Sequence, residues 1–334
     1  MHAPDGFLNA GTAVATGAAS AGAIGVALRQ AREQLLDKQV PLAGLAAAFI
    51  FAAQMFNFPV AGGTTGHLIG GALAAVLLGP AVGALVVTVV VVVQALAFAD
   101  GGLTALGYNV LNMAVVPAFG GYAAFVLLRR VLPRSRTGVT VATGVAAGLS
   151  VVLSAMAFSV QWLFGATAPV PFDTVFVAMV GVHTLIGIGE GVISALTVGA
   201  VLAARPDLVY GARDLEVDAP RRRIGTRGFV VAGLVVTLLV AMGVSQLAVD
   251  EPDGLERVAI DQGFEESARD HALDRSMFAD YATAGVRNES VSLAVAGAAG
   301  VAVTLLVGTG LALAIRGRGR DERDAHRAPE RTHA

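Results

Sequence analysis

Nine runs of apolar residues divide the chain, at about 10–28, 41–58, 67–80, 81–98, 107–128, 138–163, 175–203, 229–249 and 291–315. Most are long enough to cross a hydrocarbon core of about 30 Å, which takes about 20 helical residues at about 1.5 Å each. Only 14% of residues are charged and 55% are hydrophobic, whereas a soluble domain carries roughly 25% charged residues. The expected fold is therefore an all-α polytopic membrane protein. The third run is short and Gly-rich. It is expected to be a tilted or broken helix buried in protein, because irregular backbone at membrane depth needs internal partners.

Basic residues set the expected orientation. With the N-terminus outside, 19 of the 23 Lys and Arg fall in four inner segments, and the other four (Arg257, Arg269, Arg275, Arg287) lie in one outer loop. That assignment places the C-terminus in the cytoplasm. Residues 1–204 read as a seven-segment bundle, 205–228 as a basic cytoplasmic linker, 229–315 as a two-helix hairpin and 316–334 as a disordered tail. The hairpin's extracytoplasmic loop, 250–290, carries eleven Asp or Glu against four Arg. No basic n-region precedes the first apolar run, so a cleaved signal peptide is not expected and Met1 is taken as the mature N-terminus.

Cysteine is absent. Thiolate metal sites, disulfides and cysteine nucleophiles are thereby excluded, and any metal must be held by nitrogen or oxygen. The sole lysine, Lys38, is not part of a Walker A sequence, and there is no HExxH motif. The chain thus lacks the loop that cradles ATP phosphates.

Three constellations could carry chemistry. The first is Met1-His2-Ala3-Pro4-Asp5-Gly6-Phe7-Leu8. A free α-amine, the amide nitrogen of His2 and its δ-nitrogen can form two fused chelate rings around one ion, and in-plane nitrogen coordination suits Ni²⁺ or Cu²⁺. An ordinary solvated terminus is the competing reading. The second is Gly62-Gly63-Thr64-Thr65-Gly66-His67, where His67 could supply a fourth nitrogen or be a polar residue satisfied by a carbonyl. The third pairs His183 with Glu190, two turns apart on one helix face. Ionisable groups at membrane depth face a bundle interior or a polar path, so these two support the ligands, line the metal's route, or simply bond each other. Asn109 and Asn112 are similar candidates. The first run also spaces Ala15, Ala19, Ala23 and Ala27 four apart, which permits close helix contact.

Taken together, Met1-His2-x-Pro-Asp-Gly-Phe-Leu, Gly-Gly-Thr-Thr-Gly-His67-Leu and Gly-Val-His183-x-Leu-Ile-Gly-Ile-Gly-Glu190 resemble the CbiM/NikM family, over roughly residues 1–204. These are capture components of energy-coupling factor importers for cobalt and nickel. Pro252-Asp253-Gly254-Leu255-Glu256, with Gly263-Phe264 and Asp280-Tyr281, is similar to the PDGLE domain that accompanies them. The resemblance implies a metal held by the Met1 amine, the amide nitrogen and imidazole of His2, and the imidazole of His67. Ala3 stands where the family often has a larger aliphatic residue, and Thr65 where it often has serine. It also implies a transmembrane coupling subunit and cytosolic ATPases as partners, membrane lipid around the helices, no nucleic acid, no catalytic residue and no resident cofactor. Ni²⁺ or Co²⁺ would be bound as transported substrate, and the Pro-Asp-Gly-Phe wording leans towards nickel. The alternative is an autonomous secondary metal transporter or channel. A membrane enzyme fits less well, since no nucleophile–base pair is visible.

Overall fold

A computed structural model of the protein describes residues 1–215 and 224–327. Arg221, Arg222 and Arg223 of the expected linker, and residues 328–334 of the expected tail, lie outside the described residues. In chain order the elements are α1 (Ala10–Gln34), α2 (Val40–Gln54), β1 (Phe58–Ala61), β2 (Thr64–Gly66), α3 (Gly71–Leu78), α4 (Pro80–Val93), α5 (Leu106–Val110), α6 (Val116–Val131), α7 (Arg136–Gly165), α8 (Phe172–Ala204), α9 (Thr226–Met242), α10 (Gly254–Gln262) and α11 (Glu289–Arg327).

Among the described residues, seven helical stretches are long and apolar enough to cross a membrane: Ala10–Gln34, Pro80–Phe98, Leu106–Val131, Arg136–Gly165, Phe172–Ala204, Thr226–Leu247 and Glu289–Arg318. Two of these are wider-wound in part. Gln94–Phe98 continues α4 and Leu111–Val115 joins α5 to α6, both as π-helix. The remaining two apolar runs became α2 and α3, which are shorter and almost wholly enclosed by protein. The expectation for the third run holds: α3 is a short, buried segment, and its eight residues are all buried.

Glycine sets two helix contacts. On the α7–α8 seam, Gly144 faces Gly191 and Gly148 faces Gly187 so closely that a Cβ on Gly187 would lie 2.7 Å from the Gly148 carbonyl oxygen. Spacing of small residues four apart on both helices lets their backbones approach this way. The C-terminal hairpin of α9 and α11 is packed on the bundle, with α11 meeting α2 where Gly300 abuts Phe51 and Gly308 abuts Ala47. That packing explains how a 15-residue helix comes to bury nearly all of its residues.

The basic segments gather at one end. Lys38 lies 3.7 Å from Asp207, Arg129 pairs with Asp214 at 2.8 Å, and Arg316 pairs with Asp37 at 2.5 Å. The loops carrying the candidate ligands gather at the other. The tail departs from expectation: α11 runs on to Arg327. Residues 316–327 are Arg, Gly, Asp, Glu, Ala and His, and the first proline, Pro329, comes later, so little in the sequence stops an established helix from propagating. The Gly-rich stretch before His67 also forms a two-stranded antiparallel ribbon, β1 against β2, with an irregularity between Pro59 and Ala61.

Candidate metal centre

Asn9 starts α1, its side chain accepting from the Thr12 N–H at 2.9 Å. The eight residues before it fold back into the mouth of the bundle, and every turn is tied down. Leu8 pairs with Ala166, and Asn9 N–H donates to Gly165 O at 2.7 Å. The Asp5 carboxylate accepts from Leu103 N (3.1 Å), Thr104 N (2.7 Å), Thr104 Oγ1 (2.6 Å) and Ala105 N (3.0 Å), so it caps the start of α5. Gly6 has φ +100° and no room for a side chain, since a Cβ would sit 2.2 Å from Ser267 O. Asn109 clamps Ala3 from both sides: Ala3 N–H donates to Oδ1 and Nδ2–H donates to Ala3 O, each at 2.9 Å. Met1 and Ala3 are consequently buried.

His67 lies in the extended segment between β2 and α3. Glu190 of α8 holds that segment, accepting from Ile69 N at 2.6 Å and Gly70 N at 2.9 Å. The Nδ1 of His67 is 3.0 Å from Leu68 O, which can only accept, so Nδ1 carries the proton and Nε2 presents its lone pair. That Nε2 lies 2.7 Å from the Met1 α-amine.

His2 stacks on His67 with ring centroids 5.3 Å apart. Its Nδ1 is 3.2 Å from Asp100 Oδ1 and its Nε2 is 3.0 Å from Gln94 Oε1. Both ring nitrogens thus have protein partners, and chelation through Nδ1 requires the ring to leave Asp100. Burial lowers the His2 pKa to about 4 against the opposing pull of Asp100. The imidazole is therefore neutral at pH 7, the form that binds metal. Gln94 and Asp100 are held in turn by Tyr281 of the hairpin loop: Gln94 Nε2 donates to the phenol oxygen at 3.1 Å, and the phenol donates to Asp100 Oδ2 at 2.6 Å. Burial and Asp100 together push the Tyr281 phenol well above its usual range. Gln94 opens the π stretch after α4, and such bulges are frequent where side chains must be re-aimed at a site.

The other candidates have separate fates. His183 is buried; its Nδ1 lies 2.8 Å from Met179 O, and its Nε2, which has no hydrogen-bond partner among the described residues, faces a small cavity shared with Met1, His67 and Gly254. Glu190 supports the His67 segment and does not reach the amine. Asn109 is a clamp on the N-terminal loop. Asn112 is elsewhere, exchanging hydrogen bonds with Gln161 at 2.9 and 2.7 Å.

Residues from the hairpin loop were not expected at the site. Asp253 Oδ2 contacts the Met1 amine and lies 3.6 Å from His67 Nε2. Burial pushes the Asp253 carboxyl up, but the Met1 ammonium beside it holds it well below the usual carboxylate range. Phe264 packs edge-on against Phe7 and lies 4.4 Å from Trp162. The loop so covers the N-terminal segment, leaving a cavity of about 530 Å³ lined by His2, His67, Asp100, Glu251, Asp253 and Tyr281. Among the described residues, no group of three or more His, Asp or Glu side chains is arranged to hold a metal by itself. A metal bound here would draw on main-chain nitrogen as well.

Residues 2–208 match the family described as the cobalt uptake substrate-specific transmembrane region, and residues 227–317 match the PDGLE domain. The fused nickel transport protein NikMN of Rhodobacter capsulatus is 38% identical over 234 residues, covering 66% of this chain and 65% of that protein. A relative from Archaeoglobus fulgidus is 35% identical over 286 residues, 86% of this chain and 90% of its own length, so the likeness runs through both parts. Among solved structures, the crystal structure of a truncated transition metal transporter superposes with a TM-score of 0.54 at 32% identity, over 61% of this chain and 99% of that one.

Proposed function

Because the chain belongs to the cobalt uptake substrate-specific transmembrane family, with a PDGLE domain fused behind the bundle, we propose that it is the substrate-capture component of an energy-coupling factor importer for Ni²⁺ or Co²⁺. It is a multi-pass transport component and not an enzyme. In this reading the site end faces outwards and the basic end faces the cytoplasm, as the distribution of Lys and Arg favours. A transmembrane coupling subunit and cytosolic ATPases, on other chains, supply the energy that releases the ion inwards.

One observation carries the reading: the Met1 amine and His67 Nε2 are 2.7 Å apart. Two nitrogens bound side by side to one ion at about 2.0 Å would be about 2.8 Å apart. The chain has thus brought a main-chain nitrogen and an imidazole from 66 residues away to the spacing of adjacent ligands. The His2 amide and imidazole, on the same clamped loop, complete four nitrogens. Four nitrogens in a plane suit Ni²⁺. Nickel is favoured further by the fused build shared with the Rhodobacter capsulatus nickel protein.

The test is an N-terminal extension that resists removal. It converts the amine into an amide and fills the pocket in which Met1 is buried. Binding of Ni²⁺ and Co²⁺ should be lost while helix content stays unchanged, and the same extension at the C-terminus should have no effect. Undiminished binding by the N-terminally extended protein refutes the site.

A further inference from the structure

The hairpin loop puts a carboxylate on the nitrogen pair, and nothing in a four-nitrogen site calls for one. Asp253 is the N-cap of α10, and its Oδ1 is occupied by the N–H groups of Leu255 (2.8 Å) and Glu256 (2.9 Å). Capping fixes the carboxylate and leaves Oδ2 to face Met1 and His67. The residue before it is tied to the strand that leads to His67: Thr65 N–H donates to Pro252 O at 2.9 Å, and Thr65 Oγ1 donates to Glu251 O at 2.9 Å. Gly254 follows, close against α8: a Cβ there would fall 2.5 Å from Ile186 Cδ1 and 3.2 Å from His183 Nε2, so the Ile186 side chain would have to shift. Each residue of Pro252-Asp253-Gly254 thus serves to deliver Oδ2.

Charge explains why. In this structure the carboxylate is paired with the Met1 ammonium. A divalent ion held by a neutral amine, two neutral imidazoles and one deprotonated amide carries a net single positive charge. The carboxylate balances either state without moving away, and a charge this enclosed is costly unless it is paired. Geometry agrees. An oxygen about 2.2 Å from the ion, perpendicular to the nitrogen plane, would lie about 3 Å from each nitrogen. Oδ2 already touches the Met1 amine and is 3.6 Å from His67 Nε2.

We propose that Asp253 is a residue of the metal site: its Oδ2 remains on the nitrogen pair when the ion arrives, neutralising the complex from the axial side. The proposal rests on the four-nitrogen reading above. It makes the fused hairpin part of the binding chemistry as well as a cover for it.

The experiment titrates Ni²⁺ into the purified full-length chain against a competing chelator and records the visible spectrum of the bound ion. Asp253→Asn and Asp253→Ser both keep an N-cap acceptor and lose the charge. Each should weaken binding by about 10- to 100-fold, the usual effect of removing a group that supports a metal's ligands, and should shift the absorption band. Glu256→Gln perturbs the same helix start and removes a carboxylate that lines the cavity without contacting the amine, and should weaken binding less than either Asp253 variant. Wild-type or tighter binding by both Asp253 variants, with His67→Ala weakened, overturns the proposal and leaves the nitrogen site standing. An equal loss in Glu256→Gln also overturns it, since capping of α10 would then account for the effect. Wild-type binding by His67→Ala as well would refute the nitrogen site itself.

Discussion

Replacing Asn109 with Ala tests whether the terminal loop is pre-organised for capture. Asn109 touches none of the proposed ligand atoms; it holds Ala3 through two hydrogen bonds of 2.9 Å. The two bonds are not equivalent. Ala3 O has a second donor, Gly102 N–H at 3.0 Å, so it stays satisfied and the loss there is about 0.5–1.5 kcal/mol. Among the described residues Ala3 N–H has no other partner in its buried position, and orphaning it costs about 1–3 kcal/mol. The sum, about 1.5–4.5 kcal/mol, must be met whenever the loop is docked. If metal binds only the docked loop, affinity falls by about 10- to 1,500-fold, since each 1.4 kcal/mol is tenfold. Calorimetric titration of Ni²⁺ or Co²⁺ into Asn109→Ala and wild type gives the ratio. Wild-type affinity in Asn109→Ala would refute the reasoning.

His67→Ala should weaken binding strongly and alter the spectrum of bound nickel, because water replaces one in-plane nitrogen. His183→Ala should do less, as that ring bonds Met179 O; the reverse order in a metal titration means the fourth ligand was assigned to the wrong histidine. Burial holds the docked His2 at a pKa of about 4, against about 6.5 in water. Between those values the released loop binds a proton that the docked loop does not. Docking is thus at full strength above pH 6.5 and weakens by about 3 kcal/mol as pH falls to 4. Trp162, the chain's single tryptophan, lies beside Phe264 and reports this. Its fluorescence should be flat from pH 8 to 6.5 and change below, and a transition centred above pH 7 would contradict the burial of His2. Finally, the isolated chain should bind metal without hydrolysing ATP; phosphate release by the pure protein would contradict the missing phosphate loop.

Helices were legible because a membrane span is a local property. Length and apolarity within about 20 residues decide it, and the runs at 10–28, 138–163 and 175–203 became α1, α7 and α8. His67 was legible as a candidate because a histidine flanked by Gly62, Gly63, Gly66, Gly70 and Gly71 is unusual in an apolar chain. Its δ-proton, its 2.7 Å contact and the role of Glu190 beneath it were not. The same-face spacing of His183 and Glu190 was right, yet the two serve different neighbours, and Asn112 left the site for Gln161 across the bundle. Such choices depend on which helix ends up opposite, and helical periodicity reports a face without naming what it meets.

The sequence by itself determined that this chain spans a membrane repeatedly, that it offers no cysteine thiolate to a metal, and that it carries no Walker A sequence. Only the tertiary structure decided that the C-terminal part sits on the N-terminal one. Asp253 reaches Met1 across 252 positions and Tyr281 reaches Gln94 across 187. Both are polar residues in an irregular loop, where no hydrophobic period marks a direction. What brings them in is the packing of α9 and α11 on α2, the capping of α10 and the need of a buried ammonium for a counter-charge. These are satisfied together only in the folded chain.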